Sequence, residues 1–200
     1  ALSEAGTYSA TPSPSRAEIG MTAEGVTPRS IRCVEISSLI CLNLTTGARV
    51  TSFKAATING RINSLAVHGD RRYVGGNFTL AGGVAHAGFA AVNYTTGVLD
   101  PFVNVQTSGR HNDSGSGARS AVGVTELDVT PSGDRVVAIG NFKRVDGLLR
   151  DQVVVLDTSG ASAVVSSTWA TTRFSPYCSK NAFDSWVRDV SLSPDGSFFV

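Results

Sequence analysis

One motif, met three times, constrains this chain more than any other feature. Ile62-Asn-Ser-Leu-Ala-Val, Val124-Thr-Glu-Leu-Asp-Val and Val187-Arg-Asp-Val-Ser-Leu begin 62 and 63 residues apart, and self-similarity at a fixed period marks a repeat architecture. Apolar residues alternate in one register in all three, at Leu65/Val67, Leu127/Val129 and Val190/Leu192. Alternation at every second residue is the pattern of a half-buried strand. A turn follows each: His68-Gly-Asp, Pro131-Ser-Gly-Asp and Pro194-Asp-Gly. Gly and Asp tolerate the positive φ that tight hairpins need.

A second strand follows, Tyr73-Val-Gly-Gly-Asn-Phe78 or Val136-Val-Ala-Ile-Gly-Asn-Phe142, and a third copy starts at Ser197-Phe-Phe-Val200. These strands are almost continuously apolar, so both faces should be covered. Their glycines mark a bulge or a close backbone approach. A third strand closes each unit, at Phe89-Ala-Ala-Val-Asn-Tyr-Thr-Thr-Gly97 and Val153-Val-Val-Leu-Asp-Thr-Ser-Gly160, with an earlier relative at Leu39-Ile-Cys-Leu-Asn-Leu-Thr-Thr-Gly47. A short outer strand runs on toward Phe53 or Phe102. No stretch has helical periodicity. Three to four strands in about 60 residues is one blade of a β-propeller.

The expected fold is therefore all-β, a β-propeller seen as about three consecutive blades and incomplete. Residues 1–61 read as a degenerate N-terminal arm or blade, 62–123 as a blade, 124–186 as a blade with an aromatic insertion, and 187–200 as the start of the next. Closed propellers have four to eight blades, so further blades or a partner chain are expected to complete the fold.

The run Ser64-Leu-Ala-Val…Tyr73-Val-Gly-Gly-Asn-Phe-Thr…Phe89-Ala-Ala-Val-Asn…Thr96-Gly-Val-Leu-Asp-Pro-Phe resembles the repeat of secreted bacterial β-propeller proteins. The resemblance covers residues 31–200 and rests on the Gly-Gly-x-Phe and Thr-Gly-x-Leu-Asp-Pro elements. It implies a module of a larger exported protein, beside immunoglobulin-like, PKD or lectin-like modules. It implies no catalytic residues, because that family shares no catalytic motif. This chain departs from the pattern at Asn104–Gly123 and Trp169–Trp186, where longer connections are inserted.

Composition narrows the function. With 17 Lys+Arg against 16 Asp+Glu the net charge is +1, and a nucleic-acid binder would show a basic stripe. No apolar run approaches the roughly 20 residues of a membrane helix. Charged residues make up 16%, against about 25% in typical domains, which favours a secreted or cell-surface protein. The sequons at Asn43, Asn77, Asn93 and Asn112 are background in a chain this rich in Ser and Thr. Cys33 and Cys41 flank a hairpin turn, close to disulfide reach. The alternatives are a Cys33–Cys41 disulfide and two buried thiols in adjacent strands. Cys178 is left over.

His68, His86 and His111 have no His, Cys or carboxylate at metal-ligand spacing. His68 falls in a turn and His111 in a Gly/Ser-rich loop, so both are expected to be solvated. Asn112-Asp-Ser-Gly-Ser-Gly offers oxygens but lacks the terminal Glu of a calcium loop. No metal, cofactor or catalytic residue is assigned. The insertion Trp169–Trp186 gathers Trp169, Phe174, Tyr177, Phe183 and Trp186 beside Arg173 and Lys180. Trp169, Arg173, Tyr177 and Trp186 are the candidate ligand contacts, since aromatics anchor sugars and protein partners. The competing reading is that the aromatics bury one another, with Trp186 largely buried where the next inner strand begins. The expected function is an extracellular, non-catalytic binding or scaffold module for a protein or carbohydrate. The alternative is part of a propeller hydrolase, lyase or oxidoreductase whose active-site residues lie partly outside this chain.

Overall fold

A computed structural model describes residues 31–35 (backbone only), 39–112, 115–179 and 181–200. The described residues contain strands and turns and no helix. The all-β expectation holds, in several small antiparallel sheets. The first hairpin joins β1 (Ile31–Glu35) to β2 (Leu39–Asn43). The first repeat then lays down β3 (Arg61–His68), β4 (Arg71–Asn77), the short hairpin β5 (Leu80–Ala81) and β6 (Val84–Ala85), and β7 (Phe89–Asn93). After β8 (Thr107–Ser108), the second repeat has β9 (Gly123–Val129), β10 (Arg135–Asn141), the hairpin β11 (Arg144–Val145) and β12 (Leu148–Leu149), β13 (Val153–Asp157) and β14 (Val164–Val165).

The two repeats superpose in sequence with little slack. β4, β5, β6 and β7 recur as β10, β11, β12 and β13, each 64 residues later. Sheet order is β3-β4-β7 in the first and β9-β10-β13-β14 in the second. The Val92↔Leu99 bridge stands where β14 pairs with β13. Both sheets slip register where the first two strands meet, between Ile62 and Ser64 and between Ile139 and Gly140. Glycine is required there: a Cβ on Gly76 would lie 2.1 Å from the Arg61 carbonyl oxygen, and one on Gly140 2.2 Å from that of Gly123. The third copy pairs Leu192 with Phe199 around the Pro194–Gly196 turn.

Packing explains the two-sided burial that the apolar strands predicted. Tyr73 and Phe89 face Val124, Leu127, Val136 and Phe142, filling the space between the first and second repeats. On the other face of the first sheet, Val74, Ala90 and Val92 meet Leu39, Cys41 and Phe53. The outer face of the second sheet, Val137, Ile139, Val153 and Val155, meets Val190 of the third copy with Trp169 and Phe174. Successive units thus stack face to face in chain order. Hydrogen bonds also join successive copies of the motif: the Leu127 amide donates to Ser64 Oγ (3.1 Å), and the Leu192 amide to Asp128 Oδ2 (3.1 Å).

Candidate functional site

The two inserted connections, each preceding a copy of the repeated motif, come together. In the first repeat only Asn59-Gly60 separates the Ile58↔Ala81 bridge from β3. The equivalent path in the second repeat, from β8 to β9, is residues 109–122. Ala118 in it forms a parallel bridge with Phe183 of the Trp169–Trp186 insertion. Asp184, 6% exposed, accepts from the Ser120 amide at 2.6 Å, donates its own amide to the Ala118 carbonyl, and lies 3.9 Å from Arg110 Nε.

Beneath this seam lies a buried polar cluster. His111 is 1% exposed, which overturns the expectation that it is solvated. Its backbone amide donates to Asn141 Oδ1 (3.1 Å), and its Nδ1 sits 2.8 Å from Asp151 Oδ1. A buried carboxylate and imidazole must satisfy each other, because each left alone would cost more than the bond returns. Gln152 Nε2 donates to the Phe174 carbonyl and lies 3.4 Å from His111 Nε2, while Gln152 Oε1 accepts from the Val187 amide at 2.9 Å. These backbone partners fix the orientation of the amide. Nδ1 of His111 then carries the proton, and Nε2 is an acceptor. The Tyr177 ring closes over the imidazole at 5.2 Å, and Lys143 Nζ lies 3.5 Å from its hydroxyl.

Backbone strain marks the same place. Gln152 has φ +67, where the equivalent residue of the first repeat is Gly88 at φ +83. An L residue in this conformation costs about 1–2 kcal/mol. The side chain offsets that by joining His111, Phe174 and Val187. Asp151 replaces Ala87 at the preceding position. Repeat two thus carries polar residues where repeat one has the smallest ones.

The four candidate contacts do not form one platform. Trp169 is half-buried against the outer face of the second sheet, with Phe199 at 5.7 Å. Trp186 is half-buried rather than largely buried: its Nε1 donates to Thr125 Oγ1 (2.8 Å) and Arg188 stacks on its ring at 3.7 Å. Arg173 is exposed. Tyr177 is 38% exposed, and Phe183, not among the four, is 51% exposed. Tyr177, Ser179, Asn181 and Ala182 line a shallow, open concavity of about 500 Å³. No group of three or more His, Cys, Asp and Glu able to hold a metal occurs among the described residues. The calcium reading falls partly on residues 113 and 114, which lie outside them.

Cys33 and Cys41 are directly opposed in the β1–β2 register; the Cys33 side chain lies outside the described residues. Arg72, 3% exposed, donates to Cys41 Sγ at 3.2 Å and stacks on Tyr94 at 4.2 Å. Burial lowers its pKa from the usual guanidinium value. Cys178 is exposed and free.

No protein-family model and no curated protein matches this chain. Among solved structures, hydrazine synthase of Kuenenia stuttgartiensis is similar at 15% identity and a TM-score of 0.33, over 82% of this chain and 48% of that one. This chain therefore spans about half of that protein's length. A likeness of that size carries no argument about fold or activity.

Proposed function

We propose that the chain is a set of consecutive β-propeller blades from a secreted or cell-surface protein, and that it acts as a non-catalytic binding or scaffold module. Residues 62–123 and 124–186 are the blades, 187–200 the start of the next, and 1–61 an arm or degenerate blade. Face-to-face stacking, in chain order, of a three-stranded and a four-stranded antiparallel sheet supports the propeller reading. The observation that carries the functional reading is the union of the two insertions. Loops that depart from a repeated scaffold are where such a fold places recognition, and here they build one surface with Tyr177 and Phe183 exposed beside an open concavity. Aromatic rings rimmed by amide and hydroxyl groups suit a sugar ring or a protein loop.

Affinity electrophoresis through gels holding soluble polysaccharides tests the carbohydrate arm. The expected result is retardation by one polymer, weakened about tenfold or more in Tyr177→Ala, as for an anchoring aromatic. Retardation unchanged in both Tyr177→Ala and Phe183→Ala would move the binding face elsewhere. A Cys33–Cys41 disulfide belongs to the same extracellular reading. Alkylation without reduction should then label Cys178 alone; labelling of all three cysteines would contradict it.

A further inference from the structure

We propose that His111 is a proton-controlled latch for the inserted surface: neutral, it holds the Trp169–Trp186 connection down through Gln152 and Tyr177, and protonated, it releases it. The proposal adds a regulation to the binding face and rests on that reading for its biological use.

Three observations carry it. Gln152 cannot turn its amide over, because Oε1 accepts from the Val187 amide (2.9 Å) and Nε2 donates to the Phe174 carbonyl. The second hydrogen of that NH2 group points to His111 Nε2 at 3.4 Å, which is favourable only while Nε2 has a lone pair. The Tyr177 ring packs against the imidazole at a tilt of 56°, with the ring centroids 5.2 Å apart. A proton added at Nε2 would oppose N–H to N–H at the buried centre of the cluster. Relief requires Gln152 to swing away, which gives up the bonds to Phe174 and Val187 and removes the support under Tyr177.

Among the described residues, the charged groups facing the ring are Asp151, on Nδ1 at 2.8 Å, and Lys143, 3.5 Å from the Tyr177 hydroxyl. Asp184 and Arg110 lie on the neighbouring seam, 3.9 Å from each other. Histidine is the side chain whose charge changes in the mildly acidic range, and Gln152 would convert a proton at Nε2 into movement. The strained φ of +67 at Gln152 is what places its amide between the ring and the inserted connection.

The test needs no ligand, so it stands apart from the binding reading. Long-range ¹H–¹⁵N NMR on the whole chain should find His111 as the Nδ1–H tautomer at pH 8. Between pH 8 and pH 5, the Val187 amide should lose about tenfold or more of its hydrogen-exchange protection, with the midpoint of the His111 ring titration. His111→Gln should abolish that transition. Gln152→Glu, whose carboxylate can accept from Nε2–H, should move the midpoint up by about one pH unit. An Nε2–H tautomer at pH 8, a ring titration that leaves Val187 unchanged, or a transition that survives in His111→Gln would overturn the proposal. Should Gln152→Glu fail to fold, the His111→Gln comparison decides alone.

Discussion

The first and second repeats share one frame and differ in what hangs from it. From β4 to β7 and from β10 to β13 every strand recurs 64 residues later, and Phe78 and Phe142 fill equivalent core positions. In the first repeat, Asn59-Gly60 leads straight into β3 and Ala87-Gly88 precedes β7. In the second, residues 109–122 intervene before β9, and Asp151-Gln152 precedes β13. The comparison teaches that sheet packing and loop recognition are separable here. Apolar faces and bulge glycines set the frame, while two insertions and two substitutions create a buried polar cluster that the frame does not need.

The largest expected effect breaks the frame itself. Phe142→Ala and Phe78→Ala should each cost about 3–5 kcal/mol, since their rings are 0% and 4% exposed; chemical denaturation should show the two losses to be similar. Unequal losses would mean that the repeats are not equivalent in packing. The next effect belongs to the seam alone. Asp184→Ala strips the Ser120 amide of its acceptor and should cost about 1–3 kcal/mol, read as lost exchange protection at Ser120 with the strands of both sheets still protected. Gln152→Gly should cost only about 1–2 kcal/mol in global stability, because relief of about 1–2 kcal/mol of backbone strain offsets part of the loss of three hydrogen bonds worth about 1 kcal/mol each. Protection at Val187 should nonetheless fall in that variant.

The smallest effect concerns the turns. Asp195 is held down to about 2, first by the Ser193 hydroxyl and then by the Ser197 amide and hydroxyl. A carboxyl depressed in the folded state stabilises it above its unfolded value of about 3.9, and that contribution is lost as pH falls through about 2. Ser193→Ala should raise the Asp195 value measured by carboxyl NMR and narrow the acid-resistant window from below. The second repeat makes the same turn with the roles exchanged, the Ser132 hydroxyl and then that of Thr130 donating to Asp134 and lowering its pKa.

Periodicity made the frame legible, because alternating apolar residues, hairpin turns and glycines repeat at fixed offsets. The insertions were legible as interruptions of that period. Their burial was not. His111 reads as solvated among Gly and Ser, since Asp151 lies 40 residues away and matches no ligand spacing. The signal that would have found the pair is a difference between copies: Asp151-Gln152 stands where the first repeat has Ala87-Gly88. Trp169 and Trp186 looked like one platform because they bound one segment. The fold sends Trp169 to the outer sheet face and Trp186 to Thr125 on β9.

The separability of frame and insertion is tested most directly by deleting residues 110–122, so that Gly109 joins Gly123 as Gly60 joins Arg61 in the first repeat. Thermal unfolding and limited trypsin digestion would be followed together. The expected result is a cooperative melt that persists, with new cleavage at Arg173 once His111 and the Ala118–Phe183 pairing are gone. Loss of the cooperative melt, or a Trp169–Trp186 connection as resistant to trypsin as before, would contradict the account.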